Sequence, residues 1–127
     1  MLVPLPDGRY AFGRVMRDAA VCFYRESTVM PGQPPIGRRD FAFCVGVRQA
    51  VVDRWEVVGS DPFDDSEDDG WPPPMSVQDP LASDRWSVYS HGAIAPSTWA
   101  DAQALEPAAV WDEVHLLPRL TEELDRE

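Results

Sequence analysis

Residues 5–15, Leu-Pro-Asp-Gly-Arg-Tyr-Ala-Phe-Gly-Arg-Val, set a tight turn directly before an alternating, aromatic-rich run. Pro6 presets φ for turn entry, Asp7 can accept hydrogen bonds from the backbone just downstream, and Gly8 adopts positive φ without steric cost. From Arg9 onward the side chains alternate, with Tyr10, Phe12 and Arg14 on one face and Arg9, Ala11, Gly13 and Val15 on the other. Gly13 removes a side chain in mid-strand, which predicts a bulge, a bend or the close approach of another backbone. A strand that bends so early suits a barrel-like sheet better than a flat one.

The rest of the chain extends that pattern. Arg17-Asp18 supplies a turn and Ala20 to Tyr24 a β-branched and aromatic run. Residues 25–40 hold Pro31, Gly32, Pro34, Pro35 and Gly37 and form a loop that cannot join a central strand. Phe41 to Val47 is a nearly continuous apolar strand, Trp55 to Val58 a fourth strand, and Trp86 to Ser90 a later one. Between the last two, residues 59–85 read as one long acidic and Pro-rich loop, a length that is usually functional or disordered. Ser97 is a fair N-cap for a short helix reaching Ala104, and Ala108 to Trp111 an edge strand. Asp112 caps a C-terminal helix carrying Val114, Leu117, Leu120 and Leu124 at helical spacing, with Pro118 placed to kink or split it. The expected fold class is α+β over a single domain, residues 1–127. It comprises a curled antiparallel β-sheet of roughly five or six strands, SH3-like or a partly open barrel, with one or two short C-terminal helices.

Composition narrows the function. The chain has 22 acidic and 11 basic residues, a formal net charge of -11. That balance disfavours nucleic-acid binding, which needs a basic patch to displace counterions. All the basic residues are arginine, so lysine-dependent chemistry is excluded: P-loop nucleotide hydrolysis, Schiff-base catalysis and kinase-like phosphoryl transfer. No apolar run approaches the ~18 residues of a membrane span, and Leu2-Val3-Pro4 does not open a signal peptide. A cytoplasmic protein without membrane contact is therefore expected. Cys22 and Cys44 lie inside apolar strands and read as buried, reduced thiols acting as small hydrophobes; a disulfide would need adjacent strands in register and an oxidising compartment.

The phrase from Val3 to Val15, Val-Pro-Leu-Pro-Asp-Gly-Arg-Tyr-Ala-Phe-Gly-Arg-Val, resembles the N-terminal signature of the immunity protein 26 family, antidotes encoded beside bacterial polymorphic toxins. The run Ala20 to Tyr24 and the late Leu105-Glu106-Pro107-Ala108-Ala109-Val110-Trp111, followed by a helix-like tail, are similar in order and spacing. Members of that family usually open with a Gly-Asp-containing apolar run before the first strand, whereas this chain begins almost inside it at Met1-Leu2-Val3, so either the strand is shortened or the true start lies upstream of Met1. The resemblance implies an immunity protein that binds a cognate toxin domain and neutralises it by stoichiometric occlusion in the cytoplasm of the producing cell. The signature is structural and hands over no active-site residues. The alternative is a small non-enzymatic β-barrel binding module for a peptide or carbohydrate.

The residues from Asp64 to Met75 suggest two site types. Asp65-Ser66-Glu67-Asp68-Asp69-Gly70 imitates the first half of a calcium loop, but Ser76 occupies the twelfth position where a bidentate glutamate is required, and Pro72 to Pro74 intervene. No metal or cofactor is implied. The second use of the same segment is partner binding: Asp64, Asp65, Glu67, Asp68 and Asp69 would imitate phosphates in the basic groove of a nuclease-like toxin. Trp71 and Met75 would then supply apolar anchor area. His91 and His115 lack zinc-site spacing and no Gly-x-Ser-x-Gly elbow occurs, so an enzyme is not expected. Five tryptophans cannot all be central in so small a domain, and at least one is expected at the surface, where it favours interaction.

Overall fold

The structure, a computed structural model, describes residues 1–30, 34–63 and 69–125. Five strands, β1 (Leu2–Pro4), β2 (Tyr10–Val15), β3 (Ala20–Thr28), β4 (Phe41–Val47) and β9 (Val110–Trp111), form a curled half-barrel in the order β1-β2-β3-β4-β9. A second, four-stranded sheet has the order β7-β6-β5-β8, built from β5 (Met75–Gln78), β6 (Trp86–Ser90), β7 (Ala93–Ser97) and β8 (Glu106–Pro107). Among the described residues, three helices complete the α+β fold: α1 (Gln49–Val52), α2 (Trp99–Ala102) and α3 (Glu113–Asp125).

The opening turn forms as its residues dictate, with Gly8 at φ +88° and Asp7 accepting from the Arg9 amide at 3.0 Å. The β2–β3 register shifts between Ala11 and Gly13, and Gly13 comes to lie opposite Phe23. A Cβ on Gly13 would sit 2.8 Å from Val21 Cγ1, so the missing side chain is what lets the two strands close. Asp18 and Ala19, at φ 67° and 57°, close the four-residue connection, 16–19, between β2 and β3, in which the Met16 amide donates to the Ala20 carbonyl at 2.8 Å.

Strand β3 is buried on both faces. Val21 and Phe23 join Val3, Leu5, Ala11, Val45 and Val47 in the main core, closed by Leu116, Leu120 and Leu124 of α3. On the opposite face, Ala20 and Cys22 pack with Met16 and Cys44, while Tyr24 packs with Leu2 and Phe12. Cys22 and Cys44 stand directly opposite each other in the β3–β4 ladder and are joined by a disulfide. This corrects the expectation of free thiols: the register needed for a bond is present.

Three further elements differ from expectation. Trp55 to Val58 is not a strand. Val51, Val52 and Trp55 have helical rather than alternating spacing, so α1 and the turn after it carry all three into the main core, and only the bridge Leu2–Glu56 remains. Residues 59–85 are not wholly irregular, since β5 lies within them. Two pairings are parallel rather than antiparallel, β4 with β9 and β5 with β8; Gly46 permits the first, because a Cβ there would lie 2.8 Å from the Ala109 carbonyl oxygen.

The helices follow their caps. Thr98, rather than Ser97, caps α2 by accepting from the Asp101 amide at 3.2 Å, and Asp112 accepts from the Glu113 amide at 2.7 Å. Helix α3 runs unbroken through Pro118. The carbonyl that Pro118 cannot satisfy belongs to Val114, which is 74 % exposed and so lies on the solvent side of the helix.

Candidate functional site: a loop clamped by a buried arginine

Arg14 lies on the β2 face turned away from α3, among apolar neighbours, and is 4 % exposed. A guanidinium buried in this way needs all five N–H groups satisfied. Nη1 and Nη2 donate to Asp69 Oδ1 and Oδ2 at 2.8 and 3.1 Å. Nε reaches the Asp61 carbonyl at 3.1 Å, Nη2 the Pro62 carbonyl at 3.1 Å, and Nη1 the Met16 sulfur at 3.9 Å. One side chain thus grips Asp61, Pro62 and Asp69, on both sides of residues 64–68.

A second layer fixes the acceptors. Arg39 donates to both oxygens of Asp61 at 3.1 Å and to Asp69 Oδ1 at 3.2 Å, and the Tyr24 hydroxyl donates to Asp61 Oδ2. Phe63 lies with its ring centre 4.9 Å from the guanidinium carbons of both Arg14 and Arg17. Gly70, at φ +87°, admits that ring, which a Cβ would approach to 2.9 Å, and its carbonyl accepts from the Arg17 amide at 2.6 Å. Trp71 then stacks on His91 at 5.1 Å between ring centres.

The electrostatics follow from this packing. Asp69 is the chief cause that raises the Arg14 pKa, against the opposing effect of burial. Burial pushes the Asp61 carboxyl up, but the Tyr24 hydroxyl, the Gly37 amide and the two arginines outweigh it and hold the group below its ordinary range. Tyr24 is raised far above its ordinary value, first by burial and then by the Asp61 carboxylate beside it.

The partner-facing residues expected from sequence separate into three groups. Asp64, Asp65, Glu67 and Asp68 lie outside the described residues. Trp71 is half-buried at the loop's end. Asp69 and Met75 are largely buried: the Asp69 side chain is 8 % exposed where it pairs with Arg14, and Met75, opposite Tyr89 in the β5–β6 ladder, is 6 % exposed. Sequence reasoning missed the structural role of Arg14. Its signal was an arginine in strand phase with Phe12 and Met16, a position that apolar residues otherwise occupy. Among the described residues, no group of three His, Cys, Asp or Glu could hold a metal ion, and no helix is long and apolar enough to cross a membrane.

Fold and site together define a class: an α+β domain whose curled sheet clamps both ends of an acidic segment. No family model, curated protein or solved structure matches the chain.

Proposed function

We propose that this chain is an immunity protein, which binds a cognate toxin domain in the cytoplasm of the producing cell and blocks it by stoichiometric occlusion. The observation that carries the reading is the clamp. Arg14 holds the residues on both sides of an acidic segment to the sheet, on a chain of net charge -11. Anchoring the flanks lowers the ordering cost at binding, and the charge speeds encounter with a basic groove. The resemblance of residues 3–15 to the immunity protein 26 signature supports the same role. The half-buried Trp71 supplies apolar area beside the carboxylates.

The test is co-expression with the toxin domain encoded beside this gene, scoring survival and co-purification. Rescue with a one-to-one complex is the expected result; growth arrest without a complex overturns the proposal. In the complex, Asp64→Asn, Asp65→Asn, Glu67→Gln and Asp68→Asn together should slow association, more at low salt, and leave dissociation nearly unchanged.

A further inference from the structure

The two sheets are unequally filled. Every cluster of buried apolar residues belongs to the five-stranded sheet and the elements packed on it. In β5 to β8 and α2, only Met75, Ser76 and Ala102 are buried. A four-stranded sheet with so little burial leaves apolar surface open to a partner.

The tryptophans locate that surface. Trp55 packs edge-on against Phe23, Trp71 lies against His91, and Trp111 lies under the Arg119 guanidinium. Among the described residues, neither Trp86 nor Trp99 has a stacked ring or cation. These two line one groove of about 440 Å³, together with Gln78, Gln103 and Leu105, and Trp99 is 57 % exposed.

Elsewhere the chain satisfies such rings with its own arginine. The Arg119 guanidinium carbon lies 4.2 Å from the Phe43 ring centre and 5.1 Å from that of Trp111, while Glu106 accepts from both of its terminal nitrogens. The groove offers two indoles and two carboxamides, and no cation of this chain is among the residues that line it. Over residues 75–107 the acids are Asp79, Asp84, Asp101 and Glu106, the last already paired with Arg119, against Arg85 alone. A second copy of this acidic chain would meet like charge there, whereas a basic partner meets complementary charge.

We propose that the Trp86–Trp99 groove is a docking site for a basic side chain, an arginine or lysine, of the toxin that this chain binds. The inference rests on the immunity reading and adds a contact surface separate from the acidic loop. The cation stacks on the indoles, and its hydrogen-bond donors meet the carboxamide oxygens of Gln78 and Gln103.

The test measures the Kd of the complex for the unmodified chain, Trp99→Ala and Gln103→Arg. Both positions are exposed, and urea midpoints confirm that the variants fold. Binding weakened at least tenfold by each, with unchanged midpoints, is the expected result. Tight binding by the unmodified chain and both variants alike overturns the groove and leaves the immunity reading standing. Absence of binding by the unmodified chain overturns both. Release of the bound toxin by a neutral oligosaccharide, with Trp99→Ala abolishing that competition, overturns the cationic occupant in favour of a sugar.

Discussion

Arg14 and Asp69, 55 residues apart in the chain, meet through two parallel hydrogen bonds in a pocket where their side chains are 3 % and 8 % exposed. Neither charge is tolerable there alone, because a buried ion without its partner carries a desolvation cost of several kcal/mol. The pair therefore couples the covering of β2 to the placement of the flanking residues: the sheet face is closed only when residues 61–63 and 69–70 lie across it.

Arg14→Ala should destabilise the domain by about 3–5 kcal/mol, since it removes the bidentate partner of the buried Asp69 carboxylate and the donors to two carbonyls. Arg14→Lys should recover little, because a single ammonium cannot replace the planar fork. Urea midpoints of the two variants check both statements. Midpoints within about 0.5 kcal/mol of the parent would show that the clamp is dispensable.

The pH dependence has two arms of opposite sign. Asp61 is held below its ordinary value near 3.8, so its contribution is complete above that value and is lost as pH falls through the lower folded one. Tyr24 is raised above its ordinary value of 10.0, so its contribution is complete below that value and declines as pH rises past it. Thermal midpoints between pH 2 and 11 should show a plateau with a fall at each end. Tyr24→Phe should lower the plateau, by leaving Asp61 one donor short, and flatten the alkaline fall.

Ala19 at φ 57° occupies a backbone region that disfavours a Cβ. Ala19→Gly should therefore stabilise the chain by about 1 kcal/mol, even though glycine is more flexible when unfolded. Thermal unfolding decides the sign; a lower midpoint would mean that unfolded-state entropy outweighs the relief of strain.

The Cys22–Cys44 bond closes a loop across a sequence separation of 22. On the chain-entropy model it should contribute about 3 kcal/mol. Protein made under oxidising conditions should show no titratable thiol. A reductant should then expose two and lower the urea midpoint accordingly, with Cys22→Ala/Cys44→Ala matching the reduced form. In a reducing cytoplasm the same domain would work without that contribution.

Most of the large sheet is legible in the sequence because its signals are local: the Pro6-Asp7-Gly8 turn, the unpaired space at Gly13, the apolar runs of β3 and β4, and the Asp112 cap. The α+β class and curled sheet follow from them. What escaped depends on distant partners. Val51, Val52 and Trp55 look like the approach to a strand until α3 supplies the core they face. Met75 looks like a loop anchor until Tyr89 pairs opposite it. Cys22 looks like any buried thiol until the register places Cys44 across from it. The clamp was least legible of all, because an arginine in a strand reveals nothing about carboxylates 47 and 55 positions away.

The segment from Glu106 to Trp111 pairs first with β5 and then, three residues later, with β4. It is the last part of either sheet to be synthesised, and α3, which closes the main core, follows it. A chain still emerging from the ribosome therefore holds two sheets before the segment that hydrogen-bonds to both has appeared, and a core open along one side. Completion of translation, rather than the early hairpins, is the event that turns these pieces into one body, and truncation before Glu106 should leave a product that quality control removes.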